Sequence, residues 1–332
     1  MKAYKLKFLS SFHLDSGSAV DGPSETFIHS DTLFSAVVSA ARKFYGNDVA
    51  EKFLKPGTII LSSAFPFYKD ELFFPKPLNF YPPQDLEYDL NKKFKKVKFI
   101  SMDLLLALLC GKALESNIYD KDYILDGCWR KVKNEQNENP DRIFKTQEIP
   151  HVVMDRITNQ TQIFYKTEVY FNQNAGLFFI AEIEDELVHK FETVLRFLGD
   201  EGIGADRTIG KGLFRVEEIQ NFNINLSGDT DFYYLLSLYS PSREEFENFE
   251  PMDSYYDFVI RGGWVSNNTL TRRNLRMFVE GSIIKVKNSI KPVGVIHKVL
   301  NKDDYPNYLQ YNIYRSGQAL FLPVTGGLHE NI

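Results

Sequence analysis

The sequence is poor in cysteine and has no long apolar run, and each shortage excludes a class of protein. The two cysteines, Cys110 and Cys128, fit neither a disulfide framework nor a zinc motif, so both are predicted to be structural. No run approaches the roughly 18 apolar residues that a membrane-spanning helix needs, and MDLLLALLC at residues 102–110 is instead predicted to be a buried helix. The N-terminus, MKAYKLKFLSSFHL, alternates and shows no apolar block of a signal peptide. We therefore expect a cytoplasmic protein with no membrane partner.

The sequence also lacks a positive net charge. Its formal net charge of −5 argues against a general nucleic-acid binder. The cations nevertheless cluster, and acidic residues elsewhere do not cancel these clusters beyond a screening length of about 10 Å. The lysine cluster is typical of a solvated face, whereas Arg272 and Arg273 are also compatible with a protein partner. The three clusters are Lys92, Lys93, Lys95, Lys96 and Lys98; Arg207, Lys211 and Arg215; and Arg272, Arg273 and Arg276.

Hydrophobic periodicity divides the chain into two predicted domains. In the first, YKLKFLSS alternates as a strand does, and the following runs predict a helix and two strands. After an interruption rich in proline, lysine and asparagine, strands and a helix resume. Without the interruption, this is close to the β-α-β-β-α-β order of a ferredoxin-like domain. The sequence therefore predicts an α+β protein, with a ferredoxin-like domain over residues 1–220 and a β-rich, ferredoxin-like domain over residues 225–332.

Three segments of the first domain are singled out. They are an insertion at about 80–150, a hairpin at about 152–171 centred on TNQT, and a glycine-rich loop at 202–212. The first helix, HSDTLFSAVVSAARKFYG, carries apolar side chains such as Val37 on one face. Ser30 or Asp31 is its predicted N-cap, and Gly46 is its predicted stop.

The glycine-rich loop, GIGADRTIGKGLF at residues 202–214, matches no nucleotide-binding motif. A Walker A loop needs four residues between its glycines and a Ser or Thr after the lysine, whereas here five residues separate Gly204 from Gly210 and Gly212 follows Lys211. Glycines allow backbone N–H groups to approach an anion, and Arg207 and Lys211 supply positive charge. Two interpretations remain open: the loop grips a sugar-phosphate backbone, or it is a tight turn whose glycines only satisfy positive φ.

The same loop resembles the C-terminal glycine-rich loop of the RAMP superfamily, the repeat-associated RNA-binding proteins of CRISPR systems, which are built from ferredoxin-like folds. Four further segments resemble the Csm-type RAMP subunit that caps the 5′ end of the guide RNA in type III-A effector complexes. They follow in order along nearly the whole chain: FIHSDTLFSAVVSAA, HVVMDRITNQTQIFYKTEVYF, GGWVSNNTLTRRNLRMFVEGSII and YRSGQALFLPV.

The resemblance implies a scaffold rather than an enzyme. Members of this family bind the repeat-derived 5′ tag of the CRISPR RNA (crRNA) and contact both the large polymerase-like subunit and the backbone RAMP subunit, in antiviral defence. No chemistry, cofactor or metal of its own is implied for such a subunit.

The predicted RNA contacts gather around the loop, the first helix and the hairpin. A serine at the position of Ser30 is more often a helix cap than an RNA contact, and Arg156 is equally explained by an ion pair with Asp155 or Glu168. Arg207 and Lys211 are expected on phosphates, since single-stranded RNA is held by cations on its backbone. The full predicted set is His13, Ser16, His29, Ser30, Arg156, Asn159, Gly202, Gly204, Arg207, Gly210, Lys211 and Gly212.

Two other functions compete with the scaffold. Some RAMP proteins are metal-independent endoribonucleases that process precursor crRNA, and His13 or His29 with Lys211 would supply the general base and the cation of such a site. A pure interaction protein that never contacts RNA is the third possibility, but it leaves the cationic glycine loop without a purpose.

Overall fold

The computed structural model describes residues 1–14, 24–83, 85–133, 142–226, 228–265 and 270–326. The predicted contact Ser16 lies outside these residues. Within them, no helix is both long enough and apolar enough to cross a bilayer. The helices of this part of the chain are α1 (Ser30–Tyr45), α2 (Asn47–Phe53), α3 (Tyr88–Lys95), α4 (Met102–Leu109), α5 (Val188–Glu201) and α6 (Arg243–Glu247).

Strands outnumber helices and form one large sheet, one small sheet and three ribbons. The large sheet contains β1 (Lys2–Phe8), β2 (Ile59–Leu61), β3 (Phe65–Tyr68), β4 (Glu71–Pro75), β5 (Phe99–Ser101), β6 (Ile124–Leu125), β7 (Cys128–Trp129), β10 (Ala175–Ile183) and β11 (Phe214–Glu218). The long hairpin is β8 (Phe144–Met154) with β9 (Thr161–Phe171). The C-terminal strands are β12 (Phe232–Leu235), β13 (Phe258–Arg261), β14 (Leu275–Phe278), β15 (Ile283–Lys285), β16 (Ile296–Leu300), β17 (Ile313–Ser316) and β18 (Phe321–Pro323).

The centre of the large sheet is built from elements distant in sequence. Its order begins β11-β1-β10-β3 and continues through β4 and β5 to the short strands β7 and β6. β1 pairs antiparallel with both β10 and β11, and Leu6 lies opposite Leu177 on one side and Val216 on the other. The segment GTIILSSAFPFY, the first of the two strands predicted after the first helix, is divided into β2 and β3, both paired with β10. The interruption between them turns the backbone N–H of Ser63 to the Leu236 carbonyl in the C-terminal part, 2.9 Å away.

The two faces of the large sheet bury two separate cores, because successive side chains of a strand point to opposite faces. One face packs against α1 and α5, whose inward residues include Val37 and Leu195, both fully buried. This confirms the apolar face that the sequence predicted for the first helix. The other face packs against the 80–130 region and the C-terminal sheet, and Trp129 and Tyr234 lie in this core. The predicted apolar helix at 102–110 is confirmed as α4, with Leu105 buried there.

The N-terminal cap of α1 differs from the prediction. The helix already begins at Ser30, so His29 is the N-cap residue and no side chain caps the helix. Neither Ser30 nor Asp31 serves as the N-cap, because their side chains bond elsewhere, as described below. The predicted stop is confirmed, since Gly46 follows the helix with φ 86°.

The C-terminal part is made of small antiparallel units. β12 lies between β15 and β18, with Tyr234 opposite both Ile283 and Leu322. β13 pairs with β14, and β16 pairs with β17. Apolar side chains of the three-stranded sheet enter the same core as β3 and β4, so the two parts of the chain share buried surface.

Candidate functional site

The glycine-rich loop is fixed to the segment that follows β1. Three backbone hydrogen bonds hold it: Ile203 N donates to Gly212 O at 3.0 Å, Gly212 N to Ser11 O at 2.8 Å, and Ala205 N to His13 O at 3.0 Å. The loop therefore returns on itself and lies against residues 11–13, as expected for a segment that joins α5 to the edge strand β11.

All four predicted loop glycines have positive φ, but they differ in the space around them. A Cβ on Gly212 would lie 2.0 Å from Ile203 O, and one on Gly204 would lie 2.5 Å from His13 O. These two positions need glycine for close packing within the protein. At Gly210, in contrast, a Cβ would meet no atom within 4 Å. The tight-turn interpretation thus accounts for the positive φ of all four glycines, and close packing is a further reason for glycine at Gly204 and Gly212 but not at Gly210, which has open space beside it.

Lys211 is bound within the protein. Its ammonium donates to Glu168 Oε2 on β9 at 2.8 Å and to Ser11 Oγ at 2.9 Å. The same carboxylate oxygen accepts from Ser11 Oγ and from Tyr170 Oη. Burial would raise the pKa of Glu168, but the hydrogen bonds from Lys211, Ser11 and Tyr170 outweigh it and lower this pKa. The Lys211 cation therefore joins the loop to the hairpin, and its predicted contact with a phosphate stays a prediction.

Arg207 has the opposite environment. It begins the 3-10 turn Arg207–Ile209 and is exposed, and its side chain makes no hydrogen bond or ion pair with any described residue. The turn is held from its other side, because Lys166 of β9 donates to both carboxylate oxygens of Asp206 at 2.7 and 3.0 Å. Arg207 is thus a free cation on a fixed support. We call the group of Ser11, Glu168, Arg207 and Lys211 the loop surface.

The β8–β9 hairpin begins beside the loop surface and extends beyond it. At its base, Phe12 and Val169 exchange two backbone hydrogen bonds, and Phe171 stacks on Phe12. The predicted contacts Arg156 and Asn159 lie exposed at the turn, where Asp155 accepts a hydrogen bond from Ile157 N. Arg156 makes no ion pair with any described residue, so neither of its predicted acidic partners takes it up. The turn lies about 20 Å along the strands from Lys166, at about 3.3 Å per residue.

The hairpin exposes an apolar face near its turn. Four uncharged side chains on this face are more than half exposed, and no charged residue interrupts them: Val152, Met154, Ile163 and Tyr165. A surface of this kind marks a contact region in a folded protein. Sequence reasoning placed the hairpin but missed this face. The alternation of apolar residues across the predicted strands was the signal that could have found it.

His13 is buried beside the loop but faces inward. It is 8% exposed, and its Nδ1 lies 2.7 Å from the Thr167 carbonyl. Its backbone carbonyl accepts from the loop at Ala205. The structure thus brings His13 to the loop surface as part of its frame.

His29 and Ser30 are placed elsewhere, at the contact between the N-terminal and C-terminal parts. His29 Nδ1 lies 2.8 Å from Glu280 Oε1, and its Nε2 lies 3.2 Å from Glu25 Oε2. Ser30 Oγ accepts from the backbone N–H of Leu238 at 3.0 Å. Both residues are buried, so their side chains lie within the protein and not at its surface, and their predicted RNA contacts stay predictions.

Asp31 lies in the same contact. The sequence predicted it only as a helix cap. Its carboxylate accepts from Arg261 Nε at 3.0 Å and also bonds the Arg315 guanidinium. Arg261 lies on β13 and Arg315 on β17, so one carboxylate on α1 holds two C-terminal strands. Helical spacing places Asp31 on the apolar face with Phe34 and Val38, and that position was the signal of a buried carboxylate. We call the group of Glu25, His29, Asp31, Arg261, Glu280 and Arg315 the junction.

The charges of the junction stabilise one another. Burial would lower the pKa of His29, but Glu280 and Glu25 outweigh it and raise this pKa to about 10. Burial would raise the pKa of Asp31, but the two guanidinium groups hold it well below its usual range. His29 is therefore a cation and Asp31 an anion at neutral pH.

The chain resembles known proteins over almost its full length. Residues 5–215 match the sequence model of the RAMP superfamily, and residues 228–324 match that of the CRISPR Csm4 C-terminal domain. The CRISPR system Cms protein Csm4 of Methanocaldococcus jannaschii is 28% identical over 97% of both chains. The protein of the same description from Thermococcus onnurineus is 27% identical over 80% of this chain and 84% of its own.

Solved structures share the fold. A chain in the crystal structure of the Csm3-Csm4 subcomplex of the type III-A CRISPR-Cas interference complex superposes with a TM-score of 0.65 at 22% identity, covering 97% of this chain and 99% of its own. A chain in the crystal structure of the Csm1-Csm4 cassette with pppApA gives a TM-score of 0.63 at 20% identity, covering 97% of both.

Proposed function

Because the chain belongs to the RAMP superfamily, we propose that it is a non-catalytic RNA-binding scaffold subunit of a type III-A CRISPR effector complex, acting in the cytoplasm in antiviral defence. It would bind the repeat-derived 5′ tag of crRNA and bridge the large polymerase-like subunit to the backbone RAMP subunit. Support comes from the matches to the superfamily and to the Csm4 C-terminal domain, which follow one another along this chain. Proteins related to it in fold are seen in Csm3-Csm4 and Csm1-Csm4 assemblies.

The fold we propose is two ferredoxin-like domains. For residues 1–220, the support is the antiparallel order β11-β1-β10-β3 with α1 and α5 packed on one face, which is the arrangement that a β-α-β-β-α-β chain produces. For residues 225–332, the support is the antiparallel sheet β15-β12-β18.

The RNA would lie along the loop surface and the hairpin. The observation that carries this proposal is the exposed, unpaired Arg207 on a turn that the protein fixes from two sides. Gly210 leaves open space beside it, so a phosphate could approach closely. Arg156 and Asn159 would contact the same strand several nucleotides away. His13, Gly202, Gly204, Lys211 and Gly212 would position the surface, and His29 and Ser30 would join the two parts of the chain.

The alternative, an endoribonuclease, receives less support from this geometry. A general base needs a neutral ring nitrogen that can reach the 2′-hydroxyl of the substrate. His29 is protonated and bonded to carboxylates at both nitrogens, and His13 is buried against Thr167. The cation proposed for such a site, Lys211, is already paired with Glu168.

The test uses the complex purified from the native host through a tag on this chain. RNA that copurifies is sequenced, and short RNAs sharing a repeat-derived 5′ end are expected. Random RNA, or none, would contradict the proposal.

The contact itself is tested with Arg207→Ala. Loss of one phosphate contact should flatten the slope of log affinity against log salt by about 0.7, as for a single strand. Arg215→Ala is the matched control, since Arg215 is an exposed cation on the neighbouring strand β11. Equal slopes for the two variants would remove Arg207 from the RNA interface.

A further inference from the structure

A partly open cavity lies beside the junction, between α1 and the C-terminal part. Its volume is about 320 Å³, within the range of about 300–1,000 Å³ that small-molecule sites occupy. One wall is the helix face at Phe34, Val38 and Arg42, and the opposite wall is the segment 308–314. Arg272 closes the cavity from the side of the C-terminal ribbons. No role in the proposed RNA contact uses this cavity.

The cavity wall carries a positive charge, on Arg272, that no described carboxylate pairs with. Arg261 and Arg315 share the single carboxylate of Asp31, and His29 takes up Glu25 and Glu280. Arg272 adds a further guanidinium, close enough to Arg315 and Arg261 for their charges to act on it. The group thus contains four cations and three carboxylates, and Arg272 is the cation that makes no ion pair with a described carboxylate.

Arg272 itself has no side-chain partner among the described residues. Its backbone N–H donates to Gly263 O at 2.9 Å, which fixes the base of the side chain at the ribbon. Burial first, and then the charge of Arg315, lowers the pKa of the guanidinium. The half-buried guanidinium is thus open to an anion in the cavity, which would bind it with charge-assisted hydrogen bonds.

The opposite wall offers flat aromatic surface and an amide. Tyr308 is 65% exposed and makes no ring contact with other described residues. Tyr311 is already covered by Arg42, whose guanidinium carbon lies 4.0 Å from the ring centroid. Arg42 is in turn paired with Glu51 at 2.9 Å, so it stiffens this wall rather than supplying free charge. The Gln310 amide is exposed at the rim.

We propose that this cavity binds one nucleotide, with its phosphate on the Arg272 guanidinium and its base against the Tyr308 ring. A phosphate supplies the missing anion, and a guanidinium binds it with paired hydrogen bonds. A base fills an aromatic-walled space, whereas an acidic side chain would satisfy Arg272 and leave the tyrosine wall unused. The nucleotide is either free or part of an RNA strand, since both present the same groups. The site goes beyond the loop surface and does not depend on it.

Binding is measured by calorimetry on the purified full-length chain with adenosine 5′-monophosphate, and with adenosine as the control that lacks a phosphate. The chain should bind the monophosphate, and Arg272→Gln should weaken binding about tenfold or more, the effect of one charged hydrogen-bonded contact. Arg273→Gln, the adjacent exposed arginine outside the cavity, should leave affinity unchanged. Tyr308→Ala should weaken binding of the monophosphate and leave the melting temperature unchanged, because Tyr308 is exposed.

Stability separates a binding role from a structural one. Removing a half-buried cation that pairs with no described side chain should leave the melting temperature of Arg272→Gln unchanged or raise it, while nucleotide affinity falls. A melting temperature that falls together with affinity would overturn the proposal, since Arg272 would then be a structural cation.

A free nucleotide and a nucleotide of an RNA strand are distinguished by competition with a single-stranded RNA of mixed sequence. If the monophosphate competes with this RNA and Arg272→Gln weakens both, the nucleotide belongs to a strand. If only the monophosphate depends on Arg272, the ligand is a free nucleotide. If neither ligand depends on Arg272, the proposal is wrong, even where Arg207→Ala still changes the salt slope.

Discussion

The loop surface and the junction use the same kinds of charged side chain for opposite purposes. At the junction, carboxylates and cations are buried and satisfy one another, as Asp31 does with Arg261 and Arg315. At the loop surface, one cation, Lys211, is taken up by Glu168, and another, Arg207, is left exposed four residues away. A cation that lies near a glycine loop is therefore not necessarily a ligand contact. What decides the role is whether a carboxylate from elsewhere in the chain reaches it first.

The largest effect is expected at Asp31. Asp31→Asn leaves two largely buried guanidinium groups without their counter-ion, and breaking a buried ion pair in this way costs about 3–5 kcal/mol. Urea denaturation of the purified chain measures the loss. Asp200→Asn, at the exposed end of α5, is the matched control and should change the free energy of unfolding by less than about 0.5 kcal/mol.

Equal losses of unfolding free energy for Asp31→Asn and Asp200→Asn would contradict this difference between the junction and the surface. The junction would then be no more desolvated than the surface, and the two parts of the chain would be held together by their apolar contacts alone.

A smaller effect is expected from the titration of His29. Its folded-state pKa of about 10 lies above the ordinary value of 6.5, so the folded chain holds a proton that the unfolded chain releases. The contribution is fully present below pH 6.5 and is lost as pH rises through 10, with a slope of up to about 1.4 kcal/mol per pH unit. The difference in unfolding free energy between the wild type and His29→Gln should therefore shrink as pH rises from about 6 to about 9.

A difference that stays constant across this range would show that His29 is not held as a cation by Glu25 and Glu280. His13→Gln is the matched control, since His13 is equally buried but bonds a backbone carbonyl and no carboxylate.

The sequence predicted local features of both regions and missed the partners. Periodicity placed α1 and its apolar face, and the glycines placed the turn between α5 and β11, because these features depend on neighbouring residues. The partners of Asp31 lie 230 and 284 residues away, on strands whose positions follow from the assembly of the whole fold. The same holds for Lys211, whose carboxylate comes from the hairpin 43 residues earlier. From the neighbouring residues alone, Asp31 was interpreted as a cap and Lys211 as a phosphate contact. Both in fact bond to residues that are distant in the sequence.

The smallest effect on stability is expected for the two cations of the loop surface, Lys211 and Arg207. Their substitutions separate a role in folding from a role in RNA binding. Lys211→Met leaves the 3%-exposed Glu168 with only its hydroxyl donors, so we expect a loss of about 1–2 kcal/mol in unfolding free energy, limited by the solvent that reaches Lys211. Arg207→Met removes no side-chain bond to the described part of the chain and should leave stability unchanged while weakening RNA binding. Both variants lose one charge, so any purely electrostatic attraction of RNA falls equally in the two. If Arg207→Met destabilises the chain as much as Lys211→Met does, Arg207 is bonded in solution and the loop surface offers RNA no free cation. If only Lys211→Met loses stability and only Arg207→Met loses RNA beyond the common electrostatic part, one loop divides its two cations between folding and binding.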